Sequence, residues 1–280
     1  MYSRKTLIAH RGASAYAPEH TLESYRLAIA QKADYVEQDL QITRDGILIC
    51  LHDITLERTT NVAEVFPDRG IKEDSGRHWH ASDFTLAEIK ALDAGSWFDS
   101  KFRGAQVPTW QEAINNVKGR AGLFPETKDS EIYAGRGYNM ECLLAESLRG
   151  NGFDASGSSS ISPVVIQSFS PGSLKRLSTE YGVQVPLVQL VGTESGAILT
   201  AQAMQRIRKY AQGIGPSKDL VSSNPDLVKW AHAAGLSVTA YTFQQSDKTP
   251  FKTAREEMDY FLNTLGVDAV FTDNPDMFPR

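Results

Sequence analysis

Short apolar runs alternate along the chain with stretches whose apolar positions recur at helical spacing, and this alternation predicts parallel β–α units. Eight runs predict strands, at residues 6–10, 35–40, 123–126, 164–168, 185–190, 213–215, 238–243 and 269–272. The first helical stretch, 22–33, carries its apolar positions at Leu22, Tyr25, Leu27, Ala28 and Ile29. Further helices are predicted over 110–117, 140–149, 172–181, 194–211, 225–234 and 253–265. Eight strands with seven or eight helices in 280 residues predict one α/β domain, a closed (β/α)8 TIM barrel. A doubly wound sheet leaves too many units to place.

One segment departs from the alternation. Arg44-Asp45-Gly46 stands between two strand-like runs, and Asp-Gly in that setting signals a hairpin. Residues 47–52 are therefore expected to fold back on the second barrel strand and bring His52 close to Asp39. The stretch from about 54 to 106 is charged, rich in glycine and aromatics, and too long for an ordinary connection. It predicts an insertion on the barrel rim, with Trp79, Phe84, Trp97, Phe98 and Phe102 as its own small core. Residues 152–162, with their run of serines, predict a loop.

Composition narrows the partners. Lys+Arg 29 against Asp+Glu 34 gives a net charge of −5, which argues against nucleic acid but permits a small phosphate substrate held by local positive charge. The two cysteines, Cys50 and Cys142, have no zinc spacing and form no disulfide framework. No apolar run is long enough to span a membrane, so no stable membrane insertion is expected. The first five residues carry no signal-peptide core, so the chain is expected in the cytoplasm unless a leader precedes it.

Candidate chemistry gathers at the ends of the early strands, where barrels place their active sites. Strand period puts Glu37 and Asp39 on one face and Val36 on the other. A lone pair of this kind is usually solvated, but the flanking Tyr35, Val36, Leu40 and Ile42 argue for burial. Two carboxylates pointing into a barrel call for protons or a hard cation that takes oxygen ligands. His10 and His52 each end a strand, and two imidazoles can act as general base and general acid across one phosphate ester. Arg11 offers a planar fork to phosphate oxygens. Glu126 and Lys128 share a face of the third barrel strand, either as ligand and phosphate anchor or as a buried ion pair.

The ordered motifs resemble those of the glycerophosphodiester phosphodiesterase family. They are His10-Arg11-Gly12-Ala13, Pro18-Glu19-His20-Thr21-Leu22-Glu23-Ser24, Glu37-Gln38-Asp39, Thr43-Arg44-Asp45-Gly46, His52-Asp53 and Leu56-Glu57-Arg58-Thr59-Thr60, then Pro125-Glu126-Thr127-Lys128, Ile166-Gln167-Ser168-Phe169, Gly213-Ile214-Gly215-Pro216, Tyr241-Thr242-Phe243 and Phe271-Thr272-Asp273-Asn274-Pro275-Asp276. Residues 66–69 and 213–216 resemble a longer bacterial branch, often exported and calcium-dependent. The resemblance implies His10 and His52 as catalytic residues. It implies Glu37, Asp39 and Glu126 as ligands of one divalent cation, calcium or, second, magnesium. Arg11, Lys128, Glu19, Gln167, Phe169 and Tyr241 match phosphate- or substrate-binding positions, with Glu19 orienting Arg11. Thr127 and Tyr241 depart modestly from the usual residues, and both are expected to tune specificity. The implied reaction releases sn-glycerol 3-phosphate and an alcohol from substrates such as glycerophosphocholine and glycerophosphoethanolamine. The rival readings are a phospholipase D-like or phosphoinositide-cleaving enzyme on the same barrel, and a non-catalytic glycerophosphodiester-binding protein.

Overall fold

A computed structural model describes residues 1–153, 162–193 and 199–280. Eight parallel strands close into a barrel. They are β1 (Thr6–Ala9), β2 (Tyr35–Ile42), β6 (Gly122–Thr127), β7 (Ile166–Ser168), β8 (Leu187–Val191), β9 (Gly213–Pro216), β10 (Ser237–Phe243) and β11 (Ala269–Thr272). Each pairs with its neighbours around the ring, and β1 closes it by pairing with both β11 and β2. The antiparallel strand β3 (Leu48–Cys50) folds back on β2, with Leu40 opposite Cys50 and Ile42 opposite Leu48. The Leu51 amide donates to the Asp39 carbonyl at 2.9 Å, so the hairpin returns His52 beside Asp39 as expected.

Strand alternation sorts the core into two layers. Val36, Leu40 and Leu123 face outward into the shell packed against the helices, together with Cys50. Ile8, Phe124, Val188 and Phe271 face inward and fill the barrel, with the Phe124 and Phe271 rings edge to face at 5.2 Å. Above this plug the inward positions turn polar, and there the site lies.

The outer helices begin where side chains satisfy free backbone amides. The Thr21 hydroxyl caps α1 (Leu22–Ala30), and Thr109 forms a capping box with Glu112 at the start of α4 (Trp110–Val117). The helix expected over 22–33 stops early because Lys32 takes a left-handed conformation, with φ 64°. The helix expected from 225 begins at Leu227, and the one expected over 253–265 divides into Ala254–Asp259 and a π-helical turn, Tyr260–Thr264. The serine-rich loop falls largely on 154–161, and the start of the helix expected from 194 falls on 194–198; both lie outside the described residues.

Between β3 and α4 the chain builds the rim segment, with α2 (Val62–Val65), the short hairpin β4 (Ile71–Glu73) and β5 (Gly76–His78), and α3 (Leu86–Lys90). Leu56, Val62, Trp79, Phe84, Ile89 and Leu92 form a buried cluster separate from the barrel cores, seated on Ile49 and Leu51 of the hairpin. The expectation for the five aromatics needs correction. Trp79 and Phe84 are in this cluster, whereas Trp97 is 41% exposed and stacks edge to face only with Phe98, which in turn meets Phe102. The segment from Gly95 to Phe102 is a tight turn around Asp93; Phe98 and Phe102 are half-buried there and stand apart from the cluster.

Candidate active site

A cavity of about 160 Å³ opens at the C-terminal ends of the barrel strands. His10, Arg11, Glu37, Asp39, His52, Glu126, Lys128, Gln167, Phe169 and Tyr241 all line it. The one site residue named from the sequence that stands off its wall is Glu19, which accepts from Arg11 Nη1 at 3.0 Å and so acts behind the cavity.

The floor is acidic. Glu37 and Asp39 point inward from β2, and Glu126 joins them from the adjoining β6, paired with Asp39 in register. All three are buried, and one oxygen of each lies within 4.8 Å of the others. Burial and the neighbouring Asp39 push the Glu37 carboxyl up, and burial pushes Glu126 well up despite Lys128. Asp39 instead lies well below the usual carboxylate range; burial opposes this, but Lys128, His20 and Arg11 prevail. Three buried carboxyls, two of which resist ionising together, are a donor set with room for a divalent cation and oxygen ligands of the kind it takes. Among the described residues this is the one such group.

The cations are also placed from different strands. Lys128 Nζ lies 3.4 Å from Glu126 Oε1, and Arg11 Nε lies 3.4 Å from Asp39 Oδ2 without a hydrogen bond. Arg11 sits in a left-handed turn at the end of β1 (φ 55°), and its own amide donates to Glu37 Oε2 at 2.8 Å. Gly12 follows with φ 90°, where a Cβ would stand 2.3 Å from Ser24 Oγ, so no other residue lets α1 come so close. Gln167 donates to Glu37 Oε1 at 2.9 Å, leaving its own side-chain oxygen buried without a partner. Phe169 and Tyr241 meet edge to face at 6.0 Å on the cavity wall.

Each histidine is held by a carboxylate through Nδ1. His10 donates to Asp273 Oδ1 at 2.6 Å, and His52 to Asp53 Oδ1 at 2.5 Å. That bond fixes the tautomer and leaves Nε2 for the cavity. The two environments differ: burial lowers His52 below its usual value, whereas for His10 the nearby Glu37 and Asp273 outweigh burial and raise it.

A profile of the glycerophosphoryl diester phosphodiesterase family matches residues 10–277. The chain belongs to that family. A Bacillus subtilis glycerophosphodiester phosphodiesterase is 37% identical over 281 residues, covering 98% of this chain and 85% of the relative. A Haemophilus influenzae glycerophosphodiester phosphodiesterase is 34% identical over 331 residues, covering 99% and 89%. Among solved structures, an Oleispira antarctica phosphodiesterase in complex with the product sn-glycerol-3-phosphate superposes with a TM-score of 0.74 at 27% identity, covering 98% of this chain and 94% of that one. The family is metal-dependent, and the acidic triad is a group of ligands able to bind a metal ion.

Several motif residues to which the sequence assigns no role act from behind the site, Asp53 on His52 among them. His20 is buried, donates from Nε2 to Asp39 Oδ2 at 2.8 Å and meets Tyr25 Oη at 3.0 Å, so it holds Asp39 from behind. Asp273 orients His10 through Nδ1 at 2.6 Å. A histidine next to a helix cap and an aspartate after the last strand carry no signal until folding brings them to the site. Thr127, expected to tune specificity, faces away from the cavity, its hydroxyl 2.9 Å from Ser173 Oγ in the helix layer.

Proposed function

We propose that the protein hydrolyses glycerophosphodiesters, such as glycerophosphocholine and glycerophosphoethanolamine, to sn-glycerol 3-phosphate and an alcohol, with Glu37, Asp39 and Glu126 holding one divalent cation. The observation that carries this reading is the convergence in one cavity of a buried carboxylate triad, two carboxylate-held imidazoles and two cations, in a chain that the family matches from residue 10 to 277. Calcium is the first choice of ion by family resemblance and magnesium the second; both take oxygen ligands.

Glu37, Asp39 and Glu126 would hold a cation there, and it would supply positive charge against the negative charge that builds in the transition state. Arg11 and Lys128 bind the remaining phosphate oxygens, Arg11 as a fork and Lys128 as a point charge. One histidine, through Nε2, takes the proton of the attacking hydroxyl, which belongs to water or to the substrate's own glycerol; in the second case a cyclic phosphate forms first, and water then opens it to sn-glycerol 3-phosphate. The new P–O bond forms as the bond to the leaving alcohol breaks, and the other histidine gives that alcohol its proton. Gln167, Phe169 and Tyr241 orient the organic part of the substrate, the two rings as an apolar wall and Gln167 through its unpartnered oxygen. The segment 54–106 leaves the rim directly after His52 and bears on access to this cavity, as an insertion with its own small core.

Glycerophosphocholine is the test substrate, assayed with calcium, with magnesium and with a chelator. The expected result is release of choline and sn-glycerol 3-phosphate with metal and its loss on chelation, restored better by calcium. Turnover of intact phospholipid or phosphoinositide instead would favour the lipid-cleaving rival. Saturable binding without turnover would leave a binding protein.

A further inference from the structure

Arg58 stands just outside the cavity, in the first turn of the rim segment, and holds two residues that each hold an active-site residue. Its Nη1 and Nη2 donate to both oxygens of Glu19, at 3.0 and 2.7 Å, and its Nε donates to Asp53 Oδ2. Glu19 also accepts from Arg11 Nη1 at 3.0 Å, and Asp53 accepts from His52 Nδ1 at 2.5 Å. Arg58 thus reaches His52 through one carboxylate and Arg11 through the other. A guanidinium is a rigid planar fork, so these bonds fix the two carboxylates in direction as well as distance. Both carboxyls are kept ionised. Burial opposes this at Glu19, yet Arg58 and Arg11 hold it at about 2, and His52 and Arg58 likewise hold Asp53 below its usual range against burial.

We infer that Arg58 is a positioning residue for phosphodiester hydrolysis: it locks Asp53 against His52 so that Nε2 faces the reacting phosphate, and it locks Glu19 so that the Arg11 fork stays aimed at the phosphate oxygens. The inference rests on the hydrolysis proposed above. His10 has no share in it. Its partner Asp273 is steadied by Ser14 Oγ at 3.0 Å, so barrel residues alone position that imidazole. The rim segment therefore positions one proton-transfer group and the barrel the other. An exposed ion pair that did nothing more would contribute little to stability and nothing to turnover; Arg58 is 41% exposed, so turnover is the readout that separates the two roles.

Full-length Arg58→Ala and Arg58→Lys proteins are compared with wild type in glycerophosphocholine turnover with calcium. The imidazole nitrogens are followed in parallel by 15N NMR. Removing a residue that orients a reacting group costs about 10–100-fold. Arg58→Ala is expected to lower kcat on that scale and to raise KM through Arg11. Lysine, lacking the fork, should recover little. The His52 nitrogen signals should move toward a mixture of tautomers while those of His10 stay. In an Asp53→Asn background, Arg58→Ala should cost much less than in wild type. A kcat within twofold of wild type together with unchanged His52 signals overturns the inference, as does an equal penalty in both backgrounds. If wild type shows no turnover, the hydrolysis reading fails, and the His52 signals still decide the role of Arg58. Should the alanine variant not fold, Arg58→Gln keeps the stem and removes the fork.

Discussion

Two acids of the barrel mouth, Glu37 and Glu126, and three acids of the rim segment are shifted in opposite directions, while Asp39 is held low against burial by Lys128, His20 and Arg11. In the rim segment Glu88, Glu57 and Asp93 are each met by donors. Glu88 accepts from the Thr85 amide at 2.7 Å and from Arg69, and Glu57 from His78 at 2.7 Å and the Trp79 amide at 3.1 Å. Asp93 accepts from the Gly95 and Ser96 amides at 2.8 and 2.9 Å. All three lie below the usual carboxylate range: Glu88 chiefly through the Thr85 amide, Glu57 and Asp93 against some burial. At the barrel mouth Glu37 and Glu126 are pushed the other way, by burial first, and Glu126 well above its usual value. An acid that folding satisfies holds structure in place. An acid that folding buries beside other acids costs stability even where it is hydrogen-bonded, and that cost marks it as a candidate for chemistry.

Four experiments test this contrast. The largest effect belongs to the histidines. His10→Ala or His52→Ala should lower kcat by roughly 10²–10⁴-fold, the scale of a general acid or base. The double variant should be scarcely worse than the worse single one, because both act in one transition state. Calorimetric titration with calcium should show metal affinity retained in each. If His10→Ala abolishes it in a folded protein, His10 is a ligand and the division between barrel acids and imidazoles is wrong.

Next come the two aromatic cores. Phe84→Ala in the rim segment and Phe124→Ala in the barrel each delete a fully buried ring, at a cost of about 3–5 kcal/mol. Hydrogen exchange should show the Phe84 loss confined largely to residues 54–106, with the barrel strands still protected, whereas Phe124→Ala should loosen the whole domain. Global loss of protection in Phe84→Ala would mean that the segment is part of the main fold and its boundary is misplaced.

Glu126→Gln separates repulsion from ligation. In metal-free protein the neutral isostere removes a crowded buried carboxyl, so the thermal midpoint should rise by roughly 2–4 °C, corresponding to about 1 kcal/mol in a chain of this size. Calcium, which should raise the wild-type midpoint, should no longer do so. A lower metal-free midpoint would show that Glu126 is satisfied like the acids of the rim.

The smallest effect is expected at Asp93. Its folded carboxyl sits at about 2, below the roughly 3.9 of an unfolded aspartate. A depressed value stabilises the fold above the unfolded value, and that contribution is lost as pH falls through the folded one. Asp93→Asn should therefore lower the urea midpoint at pH 6, and the difference from wild type should shrink progressively between about pH 4 and pH 2. A gap that stays constant with pH would assign the effect to the lost oxygen rather than to charge.

Much of this was legible in the chain. All eight barrel strands are where the apolar runs put them, because each strand is a local pattern that reads the same alone or assembled. The Asp-Gly turn set the hairpin register and carried His52 to Asp39 for the same reason. Strand period put Glu37 with Asp39 on one face of the second barrel strand and Glu126 with Lys128 on one face of the third, and the structure brings all four to one cavity. What the pattern misjudged was Trp97, Phe98 and Phe102: aromatic composition does not say which side of a turn faces solvent. Tertiary structure alone decided who holds whom. Asp273 reaches His10 across 263 positions, His20 reaches Asp39 from a helix entrance, and Arg58 ties Glu19 to Asp53. Such bonds join side chains distant in sequence through the closure of the ring, and no local pattern encodes that closure.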